Sequence, residues 1–368
     1  METNRLNPAV KAVTDTSWMP RIYFLDNLKI FLTTLVVFHH AAQPYGPGGS
    51  WPIVDSYSTL DFIVLALFMV LNASFFMGLF FMISAYFVPS SLERKGVGKY
   101  MKDRLVKLGV PIVIFMLIIF PMMDYLLKGQ LSTGLGHLWY LELLLMFSTV
   151  YAGYWLIKKP STGIKKAFPR TKAIAAFAVC MALASFVVRI WAPENQWVPL
   201  GLFEPFHLAQ YAMMFTAGTI AYREGWIDAI PKAAAKLWSR LAIVIFILFL
   251  FVDKLTGSTE FSGGLTIGSL IGSFWEAFMC VSMCTALLAL FKNRFNSQNP
   301  ITKALANNAF TVYIIHLPIV IVLQYLLVAV PIDSLIKFAI AGTIGVILSF
   351  AISHYIIRRL PYAKYILG

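Results

Sequence analysis

Residues 60–88 read LDFIVLALFMVLNASFFMGLFFMISAYFV, with Asp61 at the edge as the one charged side chain and Asn72 as the interruption. About 20 apolar residues cross the hydrocarbon of a bilayer, and a soluble domain has no surface on which a run this long can sit. The stretch is therefore read as membrane-spanning. Asn72 leaves open whether it is one tilted helix or a spanning helix preceded by an interfacial one, and the charge pattern around it favours a single crossing.

Outward from this run, nine more apolar stretches recur at 22–43, 108–127, 137–157, 172–192, 205–222, 238–254, 264–291, 306–329 and 335–357. The chain of 368 residues is 59% hydrophobic and 13% charged, far from the balance of soluble domains. The expected fold is an all-α, polytopic transmembrane helix bundle of about ten spans. It forms a single domain over 21–368, preceded by a flexible polar tail over 1–20, with no internal repeat.

A net charge of +13 would suggest nucleic acid in a soluble protein, but the cations lie where membrane insertion wants them. With both termini cytoplasmic, 25 of the 30 Lys and Arg fall in inside segments, Lys128 and Lys254 fall outside, and Lys29, Arg189 and Lys337 fall within spans. Such alternation is what the positive-inside rule expects. The localisation expected is the plasma membrane, multi-pass, with no nucleic-acid partner. Cys180, Cys280 and Cys284 form no paired framework and no metal-type spacing, so no metal is expected.

Ionisable groups inside a span are costly and mark function by default. In LDNLKIFLTTLVVFHH (25–40), Lys29 and His40 are eleven residues apart, which on a helix returns to nearly the same face about 16 Å further along. Asp26 and Thr33 share that stripe, giving one wall of a tunnel from a basic mouth to the outer side. His39 points about 100° away, so His40 is the candidate. In the basic entry ERKGVGKYMKDRLVKLGVP (93–111), Arg104 and Lys107 lie one turn apart and suit a phosphate-bearing ligand. In HLWYLELL (137–144), His137 and Trp139 are expected at the outer interface. Glu142 lies two turns inward, placed to support an imidazole or to pair with Arg189. His207, Glu276 and His316 also lie in or near spans; Glu276 and His316 are candidates for mutation. Walker loops, GxSxG, HExxH and paired CxxC motifs are absent.

At these residues the sequence resembles the membrane acyltransferase 3 family, whose members move acyl groups, usually acetyl, onto carbohydrates at the outer face. The matching pieces are the first-span stripe, FFMGLFFMISAYF (75–87), the basic entry, HLWYLELLL (137–145) and NNAFTVYIIHLPIV (307–320). The family's basic residue, ten-residue spacer and His fall on Lys29 and His40, its paired basic residues on Arg104 and Lys107, and its acidic position in the fourth span on Glu142. Lys107 departs from the commoner second Arg. Ser84-Ala85-Tyr86 replaces Ser-Gly-aromatic, which implies looser helix packing there.

The resemblance implies an integral membrane acyltransferase that uses cytoplasmic acyl-CoA, acetyl-CoA by family default and succinyl-CoA as the other candidate. Arg104, Lys107 and Lys29 would hold the donor. His40 would act as general base on a carbohydrate hydroxyl or as a covalent acyl carrier, and Glu142 would orient it. Asp26, Thr33, His137, Arg189 and His316 are expected to support substrate or site. Two rival readings are a proton-coupled carrier of a sugar or lipid-linked substrate, with Asp26 and His40 as relay, and a non-catalytic scaffold. The first lacks the broken helices of repeat-built transporters, and the second leaves the buried stripe unexplained.

Overall fold

The computed structural model describes residues 21–46, 51–158, 165–198, 202–256 and 263–367. The expected tail over 1–20 lies outside them. Ten long helices follow one another: α1 Tyr23–Ala42, α2 Thr59–Tyr86, α3 Val88–Lys128, α4 Trp139–Lys158, α5 Thr171–Trp191, α6 Leu208–Glu224, α7 Lys232–Thr256, α8 Ile267–Arg294, α9 Pro300–Val328 and α10 Ser334–Tyr355. No strand occurs among the described residues.

Eight of these helices are long and apolar enough to cross a membrane. The other two are α1, which carries Asp26, Lys29, His39 and His40, and α6, which has 17 residues. The ten-span reading counts these two as well. The polarity of α1 goes with its central place: it is walled by α2, α8, α9 and α10. Leu25, Leu28, Leu32, Val36, Val37 and Ala41 are all buried along it, as is Thr33 of the polar stripe.

The run that opened the sequence is one helix, 28 residues long and unbroken at Asn72. Ser58 and Asp61 close its first turn as a capping box, with bonds of 3.2 and 3.0 Å. The third span begins earlier than its apolar core: α3 runs 41 residues, with a break at Gly96, where φ is +69°, a conformation that favours glycine. Two π-turns, Leu105–Gly109 and Phe115–Ile119, follow in the same helix. Each contains the carbonyl four residues before a proline, Pro111 or Pro121. Proline has no N–H to offer that carbonyl and its ring crowds it, so the backbone widens there.

Close packing between α2 and α6 depends on Gly218, where an added Cβ would lie 2.2 Å from the Met82 carbonyl oxygen and 2.9 Å from the Ala85 Cβ. The looser packing expected at Ala85 is therefore absent, because the glycine that permits the approach stands on the facing helix. Ala85 itself is fully buried.

Candidate active site

Three imidazoles meet at the far end of α1. His40 reaches across to His316 of α9, with 2.9 Å between His40 Nδ1 and His316 Nε2. His137, from the short turn before α4, stands 4.7 Å from the His316 ring and 6.1 Å from the His40 ring, centroid to centroid. His316 and His137 are buried, whereas His40 is part-exposed.

The hydrogen-bond partners assign the protons. His316 Nδ1 faces the carbonyl oxygens of Tyr313 and Val312 at 2.7 and 3.2 Å. A carbonyl only accepts, so Nδ1 carries the hydrogen and neutral His316 presents a lone pair at Nε2. His40 must then donate from Nδ1, which leaves the lone pair of His40 on Nε2. That nitrogen has no hydrogen-bond partner among the described residues. The arrangement follows the logic of a catalytic triad, in which a second group fixes the tautomer of the base; here the second group is an imidazole, which orients without supplying negative charge. By the same argument His137 donates from Nε2 to the Ile314 carbonyl at 3.0 Å, and its Nδ1 is buried with no partner. The Tyr313 hydroxyl donates to the His137 carbonyl.

Gln324, one helical stretch beyond His316, clamps the end of α1. Its amide nitrogen donates to the His40 carbonyl at 2.8 Å and lies 3.4 Å from that of Ala41. These carbonyls belong to the last turn of α1, where helical partners run out. Its oxygen accepts from the Trp51 indole at 3.0 Å, and Trp51 stacks on the His40 ring at 5.5 Å and 18°. The Trp51 segment is tied down further along by Asp55, which bonds the buried Lys337 ammonium at 2.7 Å. Neither Trp51 nor Gln324 emerged from the sequence reading. Gln324 had a signal, a lone amide inside the apolar run IVIVLQYLLV (319–328); Trp51, in a connecting segment, had none.

At the near end of α1, Lys29 lies 3.4 Å from Asp26 and 4.6 Å from the centroid of the Phe87 ring. Asp26 also takes Arg21 at 2.7 Å, and Thr33 is buried between the two ends of the stripe. Arg104 donates to the hydroxyl of the buried Tyr100 at 3.1 Å, and the Tyr140 hydroxyl lies 2.7 Å from Ser84 Oγ. Lys107 stands in the first π-turn, part-buried beside Arg104. The basic entry thus points partly into the bundle.

Three expectations change. Glu142 bonds neither His40 nor Arg189: its Oε2 is buried without a partner, and the group bonded to His40 is His316. Arg189 pairs instead with Glu276, because the inward faces of α5 and α8 bring those two side chains together. Glu276 also bonds His207 Nδ1 at 2.7 Å, while Arg189 reaches Ser273 at 3.1 Å and lies over the Phe206 ring at 3.8 Å. His137, expected at an interface, is buried beside His316, since the turn over Gly136–Leu138 folds inward against α9. No group of three or more His, Cys, Asp or Glu among the described residues is arranged to hold a metal ion.

A bundle with eight helices long and apolar enough to cross a membrane defines a multi-pass membrane protein. The family comparison gives the particular class: residues 22–354 match the acyltransferase domain model, and the chain belongs to the acyltransferase 3 family. Among known proteins it is similar to glucans biosynthesis protein C of Escherichia coli (strain K12), with 26% identity over 262 residues, or 62% of this chain and 66% of that protein. The counterpart in Shigella dysenteriae serotype 1 (strain Sd197) is also 26% identical over 262 residues, with the same coverage. The matched region thus spans just under two thirds of these relatives. No solved structure matches the chain.

Proposed function

We propose that this protein moves an acetyl group from acetyl-CoA, bound at the basic mouth, to a hydroxyl of an extracytoplasmic carbohydrate. We place it in the plasma membrane with ten spans and both termini cytoplasmic. The observation that carries the reading is the His40–His316 pair, which supports an unprotonated His40 Nε2 at the end of a polar stripe that begins at Lys29. The name of the Escherichia coli relative supports a glucan as the acceptor.

Arg104, Lys107 and Lys29 hold the phosphates of the donor, whose charges suit cations at a part-buried mouth. His40 Nε2 takes the proton of the acceptor hydroxyl as its oxygen attacks the thioester carbonyl. The new C–O bond forms, the C–S bond breaks, and the proton passes from His40 to the departing sulfur. His316 acts as a positioning residue that keeps the His40 proton on Nδ1. Without metal or covalent intermediate, this needs one base with the correct tautomer, and such a base contributes roughly 10² to 10⁴ in rate.

The test is turnover by the purified full-length protein, with acetyl-CoA and succinyl-CoA as donors and a glucan oligosaccharide as acceptor. Acetyl transfer is expected, and His40→Ala should lower it by about 10² or more while the protein stays monodisperse. Transfer by His40→Ala at the wild-type rate, or no interaction of the protein with any acyl-CoA, would overturn the proposal.

A further inference from the structure

Two arginines stand outside the three cations already placed at the basic mouth. Arg21 precedes the first turn of α1, and Arg358 follows the last turn of α10. One residue of α9 holds both. Asn307 accepts from Arg21 Nη2 with its side-chain oxygen and from Arg358 Nη1 with its backbone carbonyl, so two like charges are gathered on one neutral residue. Arg21 is compensated by Asp26 at 2.7 Å, which it shares with Lys29. Arg358 has no such carboxylate among the described residues. It is part-exposed, and neither its Nε nor its Nη2 is bonded or closed off by protein. That edge of the guanidinium is open to a ligand.

The chain after Arg358 ties it to the mouth. A short helix, Ala363–Leu367, packs against the π-turn Leu105–Gly109 that carries Lys107, with Ala363 buried and Leu367 set against the main apolar core. Lys29 in turn lies over Phe87, the residue before α3. Contacts therefore run in a closed loop from α1 through α3, the short helix, Arg358 and Asn307 back to α1. On that loop stand Arg21, Lys29, Arg104, Lys107 and Arg358, whose one bonded carboxylate among the described residues is Asp26. The acid of the basic entry, Asp103, is taken by Lys95. The cations also differ in depth. Lys29 is six residues inside α1, about 9 Å along its axis, and Arg104 and Lys107 belong to α3, whereas Arg21 and Arg358 lie beyond the ends of their helices.

We propose that Arg358, with Arg21, forms a rim subsite for the phosphate monoester at the nucleotide end of the donor, so that the protein selects coenzyme A thioesters by their 3′-phosphate. The inference rests on the acyl-CoA reading above. A thioester directed toward His40 leaves the nucleotide outermost, at the level of the rim pair. A phosphate monoester carries about −1.5 to −2 charge near neutral pH, more than either phosphate of the diphosphate bridge. Its three oxygens suit two guanidinium forks. Lys29, Arg104 and Lys107, set further in, meet the bridge.

Calorimetric titration of the purified full-length protein with acetyl-CoA and with acetyl-3′-dephospho-CoA tests it without an acceptor. The wild type should bind acetyl-CoA tighter by about tenfold or more, the worth of one charge-assisted contact. Arg358→Ala should weaken acetyl-CoA binding by about the same factor and erase the difference between the two donors. Arg358→Lys, which keeps the charge but not the fork, should retain part of that difference. Equal binding of both donors by the wild type would overturn the subsite while leaving acyl-CoA as the donor. An undiminished difference in Arg358→Ala would overturn it too, and weaker retention of phosphatidylglycerol by that variant would then assign Arg358 to the anionic membrane surface. Binding of neither donor would overturn the acyl-transfer reading and the subsite with it.

Discussion

Two polar clusters are buried in the same apolar bundle, and they differ in how fully their groups are paired. In the Arg189–Glu276–His207 cluster of α5, α6 and α8, both carboxylate oxygens of Glu276 are engaged, and the guanidinium reaches Glu276, Ser273 and the Phe206 carbonyl. In the His40–His316–His137 cluster the bonds end on backbone carbonyls, and two ring nitrogens, His40 Nε2 and the buried His137 Nδ1, have no partner among the described residues. A saturated cluster holds helices together. An unsaturated one leaves lone pairs unused, at a cost that packing elsewhere offsets, and in the proposed function the one on His40 is the base.

The comparison can be broken most forcefully at Glu276. Glu276→Leu strands a buried guanidinium and should destabilise the protein by about 3–5 kcal/mol, read as a large fall in Tm. The double variant Arg189→Met/Glu276→Leu removes both charges and should recover most of that loss. If Glu276→Leu instead kept its Tm and lost turnover, the cluster would be reactive and the contrast would fail.

His316→Leu is next. It should lower turnover by about 10² with little change in Tm, whereas His316→Gln, which keeps an acceptor near the Nε2 position, should retain more activity. Equal losses in the two variants would mean that His316 does more than set a tautomer. At the other end of the stripe, Arg104→Ala should raise the KM for acetyl-CoA by about tenfold, the worth of one charge-assisted contact, with kcat nearly unchanged. A fall in kcat alone would take Arg104 out of donor binding. The smallest effect is expected at Gln324→Leu, which frees the end of α1 and Trp51 together. Its kcat should drop by a factor of about five to ten, equivalent to one neutral hydrogen bond, and an unchanged kcat would show that Trp51 needs no such clamp.

Much of this was legible from residue spacing. The helical character of the runs and the shared face of Lys29 and His40 follow from periodicities that a helix imposes whatever surrounds it. What a residue meets across the bundle has no such local rule. Arg189 and Glu276 are 87 positions apart, His40 and His316 are 276 apart, and nothing in either segment names its partner. Glu142 illustrates the limit: its depth in α4 was readable, but the direction it faces depends on how α4 rotates against α2 and α3.

The sequence by itself determined that this chain is a bundle of apolar helices, because hydrocarbon admits only segments that satisfy their own backbone. It also determined that one helix carries a line of costly polar groups. The tertiary structure alone decided which of those groups are paired into inertness and which keep a lone pair free. Hydrogen bonding is directional and acts over about 3 Å, so proton positions on His40, His137 and His316 are set only when α1, α4 and α9 are brought together.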